Sequence, residues 1–595
     1  MLARPLLVLL AALAAPMTSA QTTAPGSVAP LPPALPWSGA SERLIVEADD
    51  PWITPAERDG FALTPSYAET RAYVERLVAA SPLLSLESFG TTPEGRDLYV
   101  VRASHGGAAK PVVLIQAAIH PGEIDGKDAG LMLLRDIGLR GKADLLDRID
   151  LAFVPIYNPD GHERTSAFNR PNLRGPANPG IGTTAQGINL NRDYAKADAP
   201  ETRAMLHLIR RLDPVLYLDM HVSDGFDHGY DVTYTYAGWG RYVQSEAITR
   251  WLNGAFEGGV NAFIRAMGHN PHFYPSAIDD QDLSKGLRVS AEGPRYSTGY
   301  GDYTHIPTVL VEMHNLKPYR QRVLGAYAMM EGALRMAAAD LDGLQQAIAA
   351  DRAARPETLT VRWERDETPV ETIAFTGIAF ERYLSPASGA EEIRYLGRIE
   401  PWRLPVVGQR PVQSVSLPKA WWVPAAATDV IDLLDLHGVG YERTDAPRTL
   451  QLDMVRLFEA ELGPVYDTRV LMSGDMHHEM RTETMPTGSL RVPYDQPRGL
   501  LAAALLEAEA PDSLLAWGFF PEMLEKTTSG MDRYIAAAMA DAMLAGDPEL
   551  RQEFDKKLAA DPAFAADSPA RLAWFVDRSP YRDERRLLYP IGREL

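Results

Sequence analysis

Residues 112–123 read VVLIQAAIHPGE. The stretch 112–119 is apolar except for Gln116 and stops at a Pro-Gly pair, which predicts a short strand buried on both faces. His120 and Glu123 stand just beyond its end. Two other apolar runs finish in the same way: VLYLDM at 215–220 leads into His221, and TVLV at 308–311 leads into Glu312. A further apolar run covers 151–156 and an extended segment covers 97–103. Helical or loop stretches separate them. At 64–80, TPSYAETRAYVERLVAA reads as a helix capped by Thr64 with Pro65 in its first turn. This alternation predicts an α/β fold with a central mixed, mostly parallel sheet flanked by helices. Parallel strands present their carboxyl ends at one shared edge, where such sheets place ligands, so residues far apart in sequence can meet there.

The residue types at those strand ends are the ones that hold or serve a metal. Two His and one carboxylate form a zinc set that leaves a fourth position open, as a hydrolase requires. A His and a Glu three residues apart can reach one ion from a tight turn, with Gly122 relieving backbone crowding. A carboxylate at Glu312 could move a proton from water to a leaving group. Each residue taken singly has a plainer reading, since a lone strand-end His is more often a hydrogen-bonded structural residue. The weight rests on the joint pattern.

The 595-residue chain has 59 Lys+Arg against 79 Asp+Glu, a balance of −20 that argues against a general nucleic-acid binder. It has no Cys, which excludes disulfides, a thiol nucleophile and Cys-ligated zinc, so a metal must be held by His and carboxylate. Residues 1–20 carry Arg4, an apolar run and small residues at Thr18 and Ala20. This is the pattern of a secretory signal peptide, and it implies an exported, periplasmic or extracellular protein. No later run is long enough to span a membrane. Residues 21–60 form a leader, Pro- and Ala-rich over 21–40. A catalytic domain is expected at 61–353, ending in a helix around 327–351. A β-rich α+β region of unassigned role follows at 354–595, returning to helical periodicity at 532–560. Within it, His477, His478 and Glu479 read as a solvated turn, and Trp421 and Trp422 as core or contact residues. GIGTTA at 180–185 lacks a preceding strand and reads as loop.

The blocks FGTTPEGRDLYVV (89–101), IHPGE (119–123), YNPDG (157–161), GINLNRDY (187–194), DMHVSDG (219–225) and TVLVEMHNLKPY (308–319) together resemble the zinc metallocarboxypeptidases typified by carboxypeptidases A and B. Several are similar to the secreted bacterial branch. The resemblance runs from about Thr64 to Arg335, and everything beyond lies outside it.

It implies one zinc ion per chain on His120, Glu123 and His221, with Glu312 as the catalytic base. Asn191 and Arg192 would grip the free C-terminal carboxylate of a peptide substrate, a task suited to the planar fork of Arg. An arginine that helps polarise the scissile carbonyl would be Arg170, with Arg174 as the competitor. A tyrosine closing over substrate would be Tyr296, with Tyr300 and Tyr303 competing. Asn189 departs from the Asp common in its block, and the change bears on how a ligand is supported. Two rival readings accompany this one: a zinc amidase of the same fold acting on murein peptides or acyl-amino acids, and a non-catalytic module that binds peptide or cell wall.

Overall fold

The computed structural model describes residues 31–525 and 530–595. The expected signal peptide at 1–20 and residues 21–30 of the leader lie outside the described residues. Nine strands belong to the N-terminal part: β1 (Leu84–Thr91), β2 (Asp97–Ala103), β3 (Val112–Ala117), β4 (Asp150–Val154), β5 (Leu216–Val222), β6 (Val232–Thr235), β7 (Pro271–Phe273), β8 (Leu287–Arg288) and β9 (Thr308–Met313). Eight of them form one sheet in the order β1-β2-β4-β3-β5-β9-β6-β7. Its centre, β4-β3-β5-β9, is parallel, and β1-β2, β2-β4 and β9-β6 are antiparallel. This is the mixed, largely parallel sheet that the apolar runs predict.

Strand β3 is buried along its whole length because both faces are covered. Val113, Ile115 and Ala117 pack with the helices Asp125–Leu139 and Tyr319–Ala339. Val112 and Leu114 turn the other way, toward the helix Pro200–Leu212. Each of these Val, Leu and Ile side chains contributes about 1.5–3 kcal/mol on burial. The second face is completed from the C-terminal region: Trp421, Leu434 and the helix Gly499–Leu506 belong to the same apolar cluster as Leu114. Trp421 and Trp422 are accordingly core residues.

Beyond residue 354 the chain is β-rich, as composition predicts. The strands β10 (Thr358–Leu384) and β11 (Glu391–Ser416) make a long hairpin, to which β8 adds in parallel. The strands β12 (Ala420–Val423), β13 (Glu442–Arg443), β14 (Arg448–Tyr466), β15 (Arg469–Met485), β16 (Leu490–Pro493) and β17 (Gly592–Glu594) form a second sheet. Helices Arg533–Gly546 and Pro548–Ala560 cover the predicted helical stretch. Among the described residues no helix is long and apolar enough to cross a membrane.

Three local readings are corrected. The first long helix is Tyr67–Ala80, capped by Ser66 rather than Thr64: Ser66 and Glu69 satisfy each other's backbone N–H groups in a capping box, while Thr64 Oγ1 donates to Asp128. The helix expected around 327–351 is two helices, Tyr319–Ala339 and Leu341–Ala353, separated by Asp340. His477, His478 and Glu479 lie within β15 rather than in a turn, held by the ladder to β14.

Candidate metal and substrate site

The site lies at the carboxyl edge of the parallel strands. As β3 ends, Ala118 takes a left-handed conformation and the chain turns through His120-Pro121-Gly122, with Glu123 N–H donating to His120 O at 2.7 Å. Gly122 is required by a close approach, since a Cβ there would meet Arg170 Cγ at 2.6 Å. On the neighbouring strands β5 and β9, His221 and Glu312 are register partners side by side. His120, Glu123 and His221 therefore converge, with their ligand atoms within 4.8 Å of one another.

The ring nitrogens are sorted in a way that suits a cation. His120 Nδ1 lies 3.2 Å from Glu123 Oε1 and His221 Nδ1 lies 3.0 Å from Glu123 Oε2. The outer nitrogens face supporting groups. His120 Nε2 is 2.9 Å from Asn189 Oδ1, an oxygen that also accepts from Asn191 N–H. An amide oxygen only accepts, so this bond puts the His120 proton on Nε2 and leaves the Nδ1 lone pair facing the cluster. His221 Nε2 lies 3.0 Å from Asp219 Oδ1, which Gln116 also contacts at 2.6 Å. Outer partners of this kind orient metal-binding imidazoles. The donor set of two imidazoles and a carboxylate fits zinc.

Arg170 and Arg174 are separated by the structure. Arg170 Nη1 donates to Glu123 Oε1 at 2.6 Å, so its guanidinium stands beside the cluster. Arg174 donates to the backbone carbonyls of Leu316 and Pro32, away from it. The loop bearing both is pinned by the wholly buried Arg322, which pairs with Asp125 and donates to Arg174 O and Gly175 O. Burial works to raise the Glu123 carboxyl, but His120 and Arg170 hold it well below the usual carboxylate range. Glu312 behaves oppositely: burial pushes its carboxyl up to about 8, Glu123, Asp224 and Asp219 add to the rise, and His221 opposes it. Among the described residues Glu312 Oε2 has no hydrogen-bond partner.

A cleft of about 400 Å³ opens on this edge, and His120, Glu123, His221, Glu312, Asn191, Arg192 and Tyr296 are among its lining residues. Asn191 and Arg192 lie in a short turn after Asn189, and Arg192 sits 4.7 Å over the Tyr296 ring. Among the described residues Arg192 makes no ion pair, whereas Ser297 N–H donates to Asn191 Oδ1 at 3.1 Å. Tyr300 and Tyr303 are buried in the helix Ser297–Thr304.

Residues 70–256 match the family model for zinc carboxypeptidase. The chain carries a zinc carboxypeptidase domain. Carboxypeptidase 2 of Trichophyton rubrum is 22% identical over 491 residues, 77% of this chain and 84% of that one. Human carboxypeptidase A1 is 29% identical over 140 residues, 22% of this chain and 33% of its own length. A metallo-carboxypeptidase structure from Burkholderia cenocepacia is 19% identical, with 46% of this chain and 69% of that chain covered at a TM-score of 0.33.

The family match includes His120, Glu123, Arg170, Asn191, Arg192 and His221 of the carboxypeptidase domain and ends before Tyr296 and Glu312. Those two reach the cleft by the fold, Glu312 as the register neighbour of His221 on β9. Sequence reading missed the support of the domain from afar. Asn189 N–H donates to Asp467 Oδ1 at 3.0 Å, at the tip of the β14-β15 hairpin. No sequence pattern links positions 278 residues apart.

Proposed function

We propose that this carboxypeptidase domain hydrolyses the C-terminal peptide bond of peptides that end in a free carboxylate. One observation carries the reading: a convergent His-Glu-His cluster faces the same cleft as a buried carboxylate, one of whose oxygens has no hydrogen-bond partner among the described residues, and an arginine that makes no ion pair among them. One zinc ion per chain, held by His120, Glu123 and His221, supplies Lewis-acid polarisation of the scissile carbonyl and makes water more acidic.

The remaining work belongs to side chains of this protein. Arg192, at fixed charge, takes the terminal carboxylate in parallel hydrogen bonds, assisted by Asn191, and Tyr296 covers that corner. Gripping the carboxylate sets the scissile bond one residue inward, which makes the activity exopeptidase. Arg170 donates toward the carbonyl oxygen as negative charge develops there. Glu312, which a metal cation on the neighbouring cluster would hold as the carboxylate, takes a proton from water as the water oxygen bonds to the carbonyl carbon, then delivers it to the leaving nitrogen as the C–N bond breaks.

We propose further that residues 1–20 are removed on export to the periplasm or the extracellular space, and that 61–353 form the catalytic domain with 354–595 attached to it. The test combines zinc content with hydrolysis of matched peptides, free and amidated at the C-terminus, for wild type and Glu312→Gln. The variant is expected to keep about one zinc and to lose turnover by on the order of 10²-fold or more. Activity in zinc-free protein, or full turnover in the variant, overturns the mechanism. Equal cleavage of amidated peptides favours the amidase reading instead.

A further inference from the structure

The loop that presents Tyr296 is held from the C-terminal region. Arg295 Nε and N–H donate to the two oxygens of Asp512 at 2.5 and 3.2 Å, and Nη2 donates to Pro511 O at 3.1 Å. The guanidinium also lies 4.8 Å from the Trp517 ring and 5.6 Å from that of Tyr466. Asp512 is 2% exposed. A Cβ on Gly293 would fall 1.9 Å from Asp512 Oδ2, so the loop backbone rests directly on this carboxylate.

From Arg295 the contacts run straight to the carboxylate-binding corner. The next residue, Tyr296, stacks on Arg192, and the one after it, Ser297, donates to Asn191. Arg295 O accepts from Tyr194 N–H at 3.3 Å, two residues beyond Arg192. The charge arrangement is as informative as the geometry. Arg295 is neutralised by Asp512, whereas Arg192 has no acidic partner among the described residues. The clamp thus leaves Arg192 free for a substrate anion and keeps a nearby cation from competing for it.

We propose that Asp512 is a positioning residue for recognition of the substrate's terminal carboxylate, acting through Arg295 and Trp517 to hold Tyr296 and Asn191 around Arg192. The proposal rests on the carboxypeptidase reading. It gives residues 354–595 a part in substrate recognition, beyond completing the core. Its physical basis is preorganisation: a corner already ordered loses less on binding than one that must be ordered by the ligand.

The test measures binding by calorimetry in the full-length Glu312→Gln chain, using one peptide with a free C-terminus and its C-terminal amide. The parent is expected to prefer the free acid. Asp512→Ala should lose about tenfold of that preference while its affinity for the amide stays within about threefold. Asp512→Asn, which keeps an oxygen acceptor but lacks the charge, should fall between them. A general loosening of the fold would weaken both ligands together, so it would not move the ratio. Should Asp512→Ala fail to fold, Arg295→Gln and Trp517→Phe carry the same expectation at the same clamp. Undiminished preference in folded clamp variants overturns this proposal alone. Equal binding of acid and amide by the parent overturns the carboxypeptidase reading, and this proposal with it.

Discussion

Histidine meets two acidic groups in the C-terminal region as it meets acids in the cleft, yet the two arrangements differ in kind. In the cleft, two imidazoles turn Nδ1 toward the oxygens of Glu123, while Asn189 bonds the outer nitrogen of His120 and Asp219 stands 3.0 Å from that of His221. On β15, the single imidazole of His478 lies between Asp453 Oδ2 at 2.9 Å and Glu509 Oε1 at 2.6 Å, and Arg593 also donates to Asp453. His221 is likewise flanked by two carboxylates, Glu123 and Asp219, so what sets the cleft apart is a second imidazole, His120, turned toward the same Glu123. The lesson is that acceptor convergence, rather than the presence of His and acid, makes a metal centre. Among the described residues only the cleft cluster offers three ligand atoms close enough to share an ion.

The comparison can be broken most forcefully at His221. His221→Ala should abolish stoichiometric zinc and lower turnover by on the order of 10³-fold, several kcal/mol of lost polarisation. Metal content and peptide hydrolysis read both, and a zinc-replete, active variant would dissolve the distinction between the two clusters. A smaller effect is expected at Arg192. Arg192→Ala should keep its zinc and lose about 10–100-fold in kcat/KM on free-acid peptides, the worth of a charge-assisted pair, with little change on amidated ones.

The smallest effect belongs to His478. Hydrogen bonding to Glu509 leads in raising its pKa from 6.5 to about 9, with Asp453 adding and burial opposing. A folded-state pKa above the unfolded value stabilises the fold fully below about pH 6.5, and the gain is lost as pH rises through about 9. His478→Gln should therefore flatten the pH dependence of the melting midpoint between those limits and leave zinc content and turnover as in wild type. A drop in zinc content would show that the second cluster also holds metal.

Much of the fold is legible because β3, β5 and β9 are continuous apolar runs bounded by Pro, Gly, His and Glu, and such runs are strands covered on both faces. The cluster is legible for the same reason, since parallel strands bring their ends to one edge. Ser66 was obscured as a cap by Thr64-Pro65, and only the reciprocal bonds with Glu69 decide between them. His477-His478-Glu479 resembles a polar turn because alternate residues of a half-exposed strand are polar too. Arg170 and Arg174 are equivalent as letters in a loop. Arg322 decides which one can face Glu123 by pinning the carbonyls on the Arg174 side.

The sequence by itself determined the strand ends, and with them the positions of His120, Glu123, His221 and Glu312, because burial periodicity and chain reversal are local properties. A chain without Cys also excluded thiolate from any metal donor set. Tertiary structure decided which imidazole nitrogen faces inward, which arginine stands beside Glu123 and that Tyr296 lines the cleft. It also decided that Asp467 and Asp512 brace that cleft from a region with no visible tie to it. These depend on contacts between residues far apart in the chain, from 47 positions for Arg170 and Glu123 to 278 for Asn189 and Asp467, which no local pattern encodes.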